Sequence, residues 1–385
     1  MDLDLSPEQE EFRRTVRAFA EEVVRPASEE ADRREELPLD VVRAMGELGL
    51  FGVPFPEEHG GQGADLLTFC LAVEELGRVD QSVAVTLAAA VGLGGMSILR
   101  FGTEAQRRAH LEPLCRGEAL AAFALTEPDA GSDVAAIRTR ARLEDGAWVL
   151  EGEKAFITNA GTPLTRTIVV TAVTDPQAGP HGISQLLVPA DAPGLAVGRP
   201  YRKLGWRASD TRGLSFRSCR VPEGALLGER GRGIAQALEV LDGGRVTTAA
   251  LAVGLAQACL DAALAYAKQR RAFGRPIGGF EGVAFKLADM HVAVETARLA
   301  TYRAAWLRDR GRPFTRAAAA AKLHASEAAV ACAREAVQIF GGAGFIEETP
   351  VARFYRDAKI LEIGEGTSEI QRLVIARELG LPEVL

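Results

Sequence analysis

The chain has 385 residues, 47% hydrophobic and 25% charged, which is material for two or three domains of roughly 150 residues each and excludes a disordered polymer. With 45 basic and 52 acidic residues the net charge is -7, so there is no electrostatic footprint for nucleic acid. The cysteines at 70, 115, 219, 259 and 332 form no Cys-x-x-Cys pair and the five histidines show no zinc spacing; buried thiols are expected, and no metal site.

In chain order, the start Met-Asp-Leu-Asp-Leu-Ser-Pro lacks the basic and apolar regions of a signal peptide, and its acids argue against a transit peptide, so a cytoplasmic protein is expected. No uninterrupted apolar run reaches membrane-spanning length, so no membrane span is expected. Ser6, Pro7 and Gln9 read as an N-cap, a first helical position and the partner of a capping box; Phe12, Val16, Phe19 and Val23 then recur on one face and predict a packed helix. Helical patterns continue to about residue 120, broken by a Pro- and Gly-rich loop at 54–63. From about 122 to 230 the runs become short and β-rich: Trp148-Val-Leu150, Thr167-Ile-Val-Val-Thr171, Gln185-Leu-Leu-Val188 and Leu214-Ser-Phe216. Beyond Gly233, Ala-rich segments at 234–270, 281–311 and 316–340 and a short one at 368–379, ending at Gly380, predict antiparallel helices in a bundle. The expected division is a helical domain at 1–121, a β domain at 122–230 and a helical bundle at 231–385.

Gly341-Gly-Ala-Gly344 and Gly228-Glu-Arg-Gly-Arg-Gly233 invite a dinucleotide-fingerprint reading, yet neither lies between a strand and a helix of a βαβ unit, so a Rossmann site fails. Three other segments carry chemistry. In Ile-Gly-Glu-Gly-Thr-Ser-Glu-Ile-Gln-Arg, residues 363–372, two glycines free the backbone around Glu365 just before a helical pattern. That carboxylate is either a presented base or an acid in the first turn of a helix, where it complements the dipole. Phe123-Ala-Leu-Thr-Glu-Pro-Asp-Ala-Gly-Ser-Asp133 ends in a polar cluster, and Glu153-Lys-Ala-Phe-Ile-Thr-Asn-Ala-Gly161 brings an aromatic, a hydroxyl and an amide to a strand and its turn.

Together, in this order, the three segments resemble the acyl-CoA dehydrogenase family of flavoproteins. The resemblance implies an α+β chain with an N-terminal α-helical domain, a middle β-sheet domain of barrel-like form and a C-terminal four-helix bundle, with FAD where sheet and bundle meet. It implies that Phe123, Leu125, Thr126, Ser132, Phe156, Ile157 and Thr158 contact the flavin, with Phe156 standing where most relatives carry Trp. It further implies that Arg270 and Phe273 reach the FAD of a neighbouring subunit, and that Gln338, Gly341, Gly342, Thr367 and Glu369 serve its adenine and phosphate side. Read without the resemblance, the glycines after Gln338 are a plain helix cap and Arg270 a solvated cation at a helix end. Ala272 and Glu281 depart from the family's usual Ser or Thr and Gln.

For the substrate, the resemblance implies an acyl-CoA held by Ser132, Asp242, Arg245, Glu365 and Gly366. Glu365 is the implied base and flavin N5 the hydride acceptor. Some branches carry the base at the position of Gly244, which here has no carboxylate. The implied reaction is α,β-dehydrogenation to a trans-2-enoyl-CoA, in fatty-acid β-oxidation or related catabolism, with electrons passed to electron-transfer flavoprotein by a homotetramer. An oxidase using oxygen and a non-catalytic flavin- or CoA-binding scaffold are the rival readings.

Overall fold

The computed structural model describes residues 4–382: helices up to Cys115, a sheet between Leu120 and Leu227, then helices from Gly233. The first helix, Pro7–Phe19, starts as its sequence dictates. Ser6 Oγ accepts from the Gln9 N–H and the Gln9 side chain accepts from the Ser6 N–H, at 3.2 and 3.1 Å. Pro7 occupies the first position, where a missing N–H costs nothing. Helices Leu66–Gly77 and Gln81–Ala89 are buried on nearly every side. The second runs into a π-helical turn, Ala90–Gly95, before continuing as Met96–Phe101.

The glycines of that turn have different reasons. A Cβ on Gly94 would lie 2.7 Å from Ala121 Cβ, and one on Gly95 2.6 Å from both Leu114 Cδ2 and Phe55 Cζ. These two permit close packing against the sheet and the neighbouring helices. A Cβ on Gly92 would meet nothing nearer than Thr247 Oγ1 at 3.5 Å, an ordinary contact.

The sheet has eight strands: β1 Leu120–Ala124, β2 Arg140–Glu144, β3 Ala147–Thr158, β4 Thr165–Val173, β5 Ile183–Pro189, β6 Leu195–Pro200, β7 Thr211–Pro222 and β8 Leu226–Leu227. Their order is β6-β7-β3-β2-β4-β5-β8, with β1 parallel to β4, and the four sequence-expected strands fall within β3, β4, β5 and β7. The period of two divides the faces of β4 and β5. Ile168, Val170, Leu186 and Val188 join Trp148, Leu150 and Phe216 in a core inside the sheet, while Val169 and Leu187 join the helical core. One strand pair thus welds sheet to helices.

The last region contains the expected helices as Gly233–Gln269, Glu281–Asp309, Thr315–Phe340 and Ser368–Glu378, plus a nine-residue helix, Pro350–Ala358, which the sequence analysis leaves unassigned. Its Asp357 is buried and accepts the Trp206 N–H at 2.6 Å, and Gly205 lies so close that a Cβ there would come 2.2 Å from Arg356 O. This short helix therefore docks the β6–β7 loop onto the bundle. Buried alanines, among them Ala249, Ala256, Ala325 and Ala333, let the long helices approach closely. Gln81–Phe101 and Gly233–Gln269 are long and apolar enough to cross a membrane, but both are mostly buried as core helices. All five cysteines are free and buried.

Because Gly94 holds the Ala90–Gly95 turn against β1, Gly94→Ala should destabilise the fold by about 1–3 kcal/mol through overpacking. Denaturant midpoints measure this; an unchanged midpoint would mean that the turn is free to move off the strand.

Candidate active site

Glu365 lies in a turn between a short 3-10 segment, Lys359–Glu362, and the last helix. Its φ of 52° and the 91° of Gly366 place two successive residues in the left-handed region. For a residue with a Cβ this conformation costs roughly 1–2 kcal/mol, so something must hold it. The Gly366 carbonyl accepts from Lys322 Nζ and from Gln371 Nε2, both at 2.8 Å, and Gln371 Nε2 also donates to Glu365 O at 3.2 Å. Thr367 then caps the helix, its hydroxyl accepting the Ile370 N–H at 3.3 Å. The first-turn acid of that helix is Glu369, not Glu365. The dipole reading belongs to the exposed residue and leaves Glu365 outside the helix.

The turn backbone reaches the surface, yet Glu365 Oε2 is buried and has no hydrogen-bond partner among the described residues. Gly244 makes room for it: a Cβ there would sit 2.3 Å from Oε2 and 2.9 Å from Leu93 Cδ2. Burial pushes the carboxyl above its usual range, and the Thr248 hydroxyl, the Lys322 ammonium and the Arg245 guanidinium pull it partly back. Burial likewise lowers Lys322 to about 8, with Glu365 opposing the fall. Arg245 is itself buried and paired with Asp242, whose other oxygen accepts from Thr315 Oγ1 at 2.6 Å. Asp242 and Arg245 thus form the wall beside Glu365.

A second group lies at the end of β1 and on β3. Phe123 packs against the helical core, Leu125 is buried, and Thr126 and Ser132 follow in the loop. Phe156 has a φ of 60° at an irregularity in the β3–β7 pairing and is 65% exposed, its ring 5.2 Å from that of Tyr201. A bulky aromatic held left-handed and outward marks a surface kept for something else. Thr158 ends the strand. The Ile157 side chain is buried in the sheet core, which leaves its backbone as the part on this wall. The Ala90–Gly95 turn touches both groups, Ala121 through Gly94 and Gly244 through Leu93.

A third group is remote within one chain. Arg270 follows Arg245 by 25 residues, a separation of roughly 38 Å along a helix, and Gln338 follows Lys322 by 16, about 24 Å. Tyr266 and Phe340 stack at 4.1 Å, which puts Arg270, Phe273, Gln338, Gly341 and Gly342 at one end of the bundle and Glu365 toward the other. Phe273 and Gly274, both left-handed, form the tight turn of a two-residue hairpin, with Phe273 96% exposed. Gly341 has a φ of 60° and needs to be glycine for the helix cap; Gly342 does not, and a Cβ on either would meet nothing within 4 Å. Thr367 and Glu369 lie with Glu365.

Residues 6–118, 122–219 and 231–380 match, in turn, the family descriptions "Acyl-CoA dehydrogenase, N-terminal domain", "middle domain" and "C-terminal domain". The chain belongs to the acyl-CoA dehydrogenase family. It is 50% identical over 380 residues to the probable acyl-CoA dehydrogenase YngJ of Bacillus subtilis, covering 98% of this chain and 100% of that one. Among solved structures it is similar to butyryl-CoA dehydrogenase from Megasphaera elsdenii, with a TM-score of 0.96 and 42% identity over 98% and 100% of the two chains. A chain from the structure titled "Electron transferring flavoprotein of Acidaminococcus fermentans: Towards a mechanism of flavin-based electron bifurcation" gives 0.97 and 43% over 98% and 99%. The enzyme is an acyl-CoA dehydrogenase, an oxidoreductase that uses FAD. The residues present fit that cofactor: the strained, outward Phe156 offers a stacking surface on the same wall as the hydroxyls of Thr126 and Thr158.

Sequence reasoning missed Lys322, Gln371, Thr248 and Leu93. Lys322 had a signal, since it interrupts the alanine run Ala317–Ala321 with a charge; Leu93 and Thr248 had none, because only the crossing of their helices makes them neighbours of Glu365.

Gly244→Ala should force the Glu365 carboxylate aside and slow bleaching of FAD by acyl-CoA by about 10²-fold, the usual penalty for a displacement on the ångström scale. Gly243→Ala, with nothing within 4 Å of its Cβ, should leave the rate as it is. Stopped-flow bleaching at equal FAD content compares them.

Proposed function

We propose that this enzyme oxidises short acyl-CoA thioesters to trans-2-enoyl-CoA with Glu365 as the base. The observation that carries the reading is the Glu365 carboxylate: buried, its Oε2 without a partner, and fixed by a strained turn beside the glycine that clears its path. An acid held in this way is desolvated and therefore more basic than in water, which suits removal of a weakly acidic α-proton. FAD, when held by Phe123, Leu125, Thr126, Ser132, Phe156 and Thr158, would supply the acceptor for the β-hydrogen. Negative charge growing on the thioester oxygen needs a donor aimed at it; the Glu365 N–H is available, since it donates to no backbone acceptor among the described residues.

One similarity supports a short acyl group. The similar Megasphaera enzyme is a butyryl-CoA dehydrogenase. Similarity to a chain of the Acidaminococcus fermentans electron-transferring flavoprotein structure supports electron-transfer flavoprotein as the acceptor of the electrons.

The remote group supports a site completed across a subunit boundary. Arg270 supplies positive charge for the FAD pyrophosphate of a neighbouring copy, and Phe273, Gln338, Gly341 and Gly342, at the same end, approach the same half of that cofactor. Phe285, Val292 and Leu299 recur every seventh position on Glu281–Asp309 and are 63%, 59% and 47% exposed. This apolar stripe fits burial against another copy in a homotetramer.

Glu365→Gln should retain FAD and fold but lose bleaching by butyryl-CoA by at least about 10²-fold, the lower bound for loss of a general base; a variant that bleaches at the wild-type rate removes Glu365 as the base. Because the carboxylate form is the active one and burial raises its pKa, the single-turnover rate should fall with decreasing pH at a limb above the range of an exposed glutamate. Lys322→Met removes a positive charge that favours the carboxylate, so that limb should move to still higher pH. Arg270→Ala should lower FAD content while the Glu365 turn stays intact; full FAD occupancy in this variant would exclude the pyrophosphate role.

A further inference from the structure

One buried ion pair lies outside the chemistry described so far. Lys154 on β3 is completely buried, and its Nζ donates at 2.8 Å to Glu127 Oε1 and at 2.8 Å to the Leu125 carbonyl. Glu127 is nearly as buried. Its Oε1 also accepts the Thr139 N–H at 3.0 Å, and its Oε2 accepts the Arg138 N–H at 2.6 Å. Each partner is satisfied, as a buried pair must be if it is not to cost more than it contributes. Around it, the Ala155 N–H donates to Thr126 O at 2.9 Å, and Thr139 Oγ1 donates to Glu153 O at 3.1 Å. The loop after β1 is therefore stapled to β3 at the point where β3 turns Phe156 outward.

The direction of the peptide between Leu125 and Thr126 follows. In a planar trans peptide the C=O and the following N–H point opposite ways. Lys154 draws the Leu125 carbonyl inward, so the Thr126 N–H faces away from the buried lysine. Among the described residues it donates to no backbone acceptor. A free amide beside a threonine hydroxyl, on the wall that displays Phe156, is a donor set without an acceptor in its own chain.

We infer that Lys154, with Glu127, is a positioning residue that aims the Thr126 amide at the FAD ring system by holding the Leu125 carbonyl. The inference rests on the proposed placement of FAD against Thr126, Phe156 and Thr158. Lys154 does not touch the cofactor; it fixes the donor that does. Neutralising the pair frees the peptide to rotate, and the amide is lost as a preorganised donor.

The experiment uses both the wild-type protein and two variants. In the wild type, amide hydrogen exchange is compared with and without FAD. The Thr126 amide should be unprotected in the apoprotein and become protected on FAD binding, together with the amides of 156–158. In Lys154→Met, and in Lys154→Met combined with Glu127→Gln so that no unpaired carboxylate is left, FAD should bind about tenfold more weakly, the worth of one hydrogen bond. The visible bands of bound FAD should shift, and the gain in Thr126 protection should disappear. A purely structural pair would lower thermal stability but leave the dissociation constant and the spectrum of the folded protein at wild-type values, and that result overturns the inference. So does wild-type Thr126 staying unprotected while 156–158 become protected, an outcome that stands even if neither variant folds. If none of these amides responds to FAD, the placement of the cofactor on this wall is what fails.

Discussion

The active-site geometry depends on one carbonyl. Gly366 O accepts from Lys322 on one helix and from Gln371 on another, and these bonds hold Glu365 in a backbone conformation that an unassisted glutamate would leave. A net hydrogen bond contributes about 1 kcal/mol, and about twice that when the donor is charged. Two of them on one oxygen match or exceed the roughly 1–2 kcal/mol cost of a left-handed residue. The strain is therefore carried by the bundle and not by the turn, and the carboxylate stays in place without making a hydrogen bond through Oε2 of its own. Had the carboxylate been used as an anchor, its buried oxygen would have been occupied.

The same economy explains why the site is spread over so many elements. Gly244 and Arg245 lie near the start of a 37-residue helix, and Arg270 lies just past its end. A rigid rod of that length cannot bring both to one ligand in one copy. The exposed hairpin at Phe273 and the exposed stripe of Phe285, Val292 and Leu299 are apolar surface at places where a lone chain would normally avoid it. Both facts fit the proposed assembly, in which one copy would give the base and the sheet wall and its neighbour the cation.

Much of the fold was legible in the sequence because period and punctuation agreed with it. The capping box at Ser6, the strands at 148–150, 167–171, 185–188 and 214–216 and the three long helical segments with the short last one all fall where the pattern puts them. Pro350–Ala358 was overlooked although it carries local signals, a proline at the first helical position and Val351, Phe354 and Ala358 at helical spacing facing the bundle core; what the chain does not announce is the contact of Asp357 with the β6–β7 loop. In the site, the flanking glycines announced Glu365 and the polar clusters announced the sheet wall. At Ile157 the direction of the side chain was not legible, because a β3 irregularity between Lys154 and Ile157 resets the alternation, so that the aromatic points out and the isoleucine in. Contacts between distant segments, such as Leu93 with Gly244 or Lys322 with Gly366, leave no local trace in the chain.

The electrostatics of the proposed base show why its surroundings are mixed and not simply apolar. A carboxylate buried among hydrocarbon alone would hold its proton at neutral pH and be useless as an acceptor, while one paired tightly with a cation would be ionised but too weak a base. Here the raising effect of burial is the largest, and it is opposed by a hydroxyl and two cations that do not form an ion pair with the carboxylate. Arg245 is diverted to Asp242, and Lys322 spends a donor on the Gly366 carbonyl. Both cations therefore act on Glu365 through space, moderating its proton affinity while leaving Oε2 without a hydrogen bond among the described residues. In this arrangement the two helices that hold the turn also tune the acid it presents, so position and basicity are set by the same side chains.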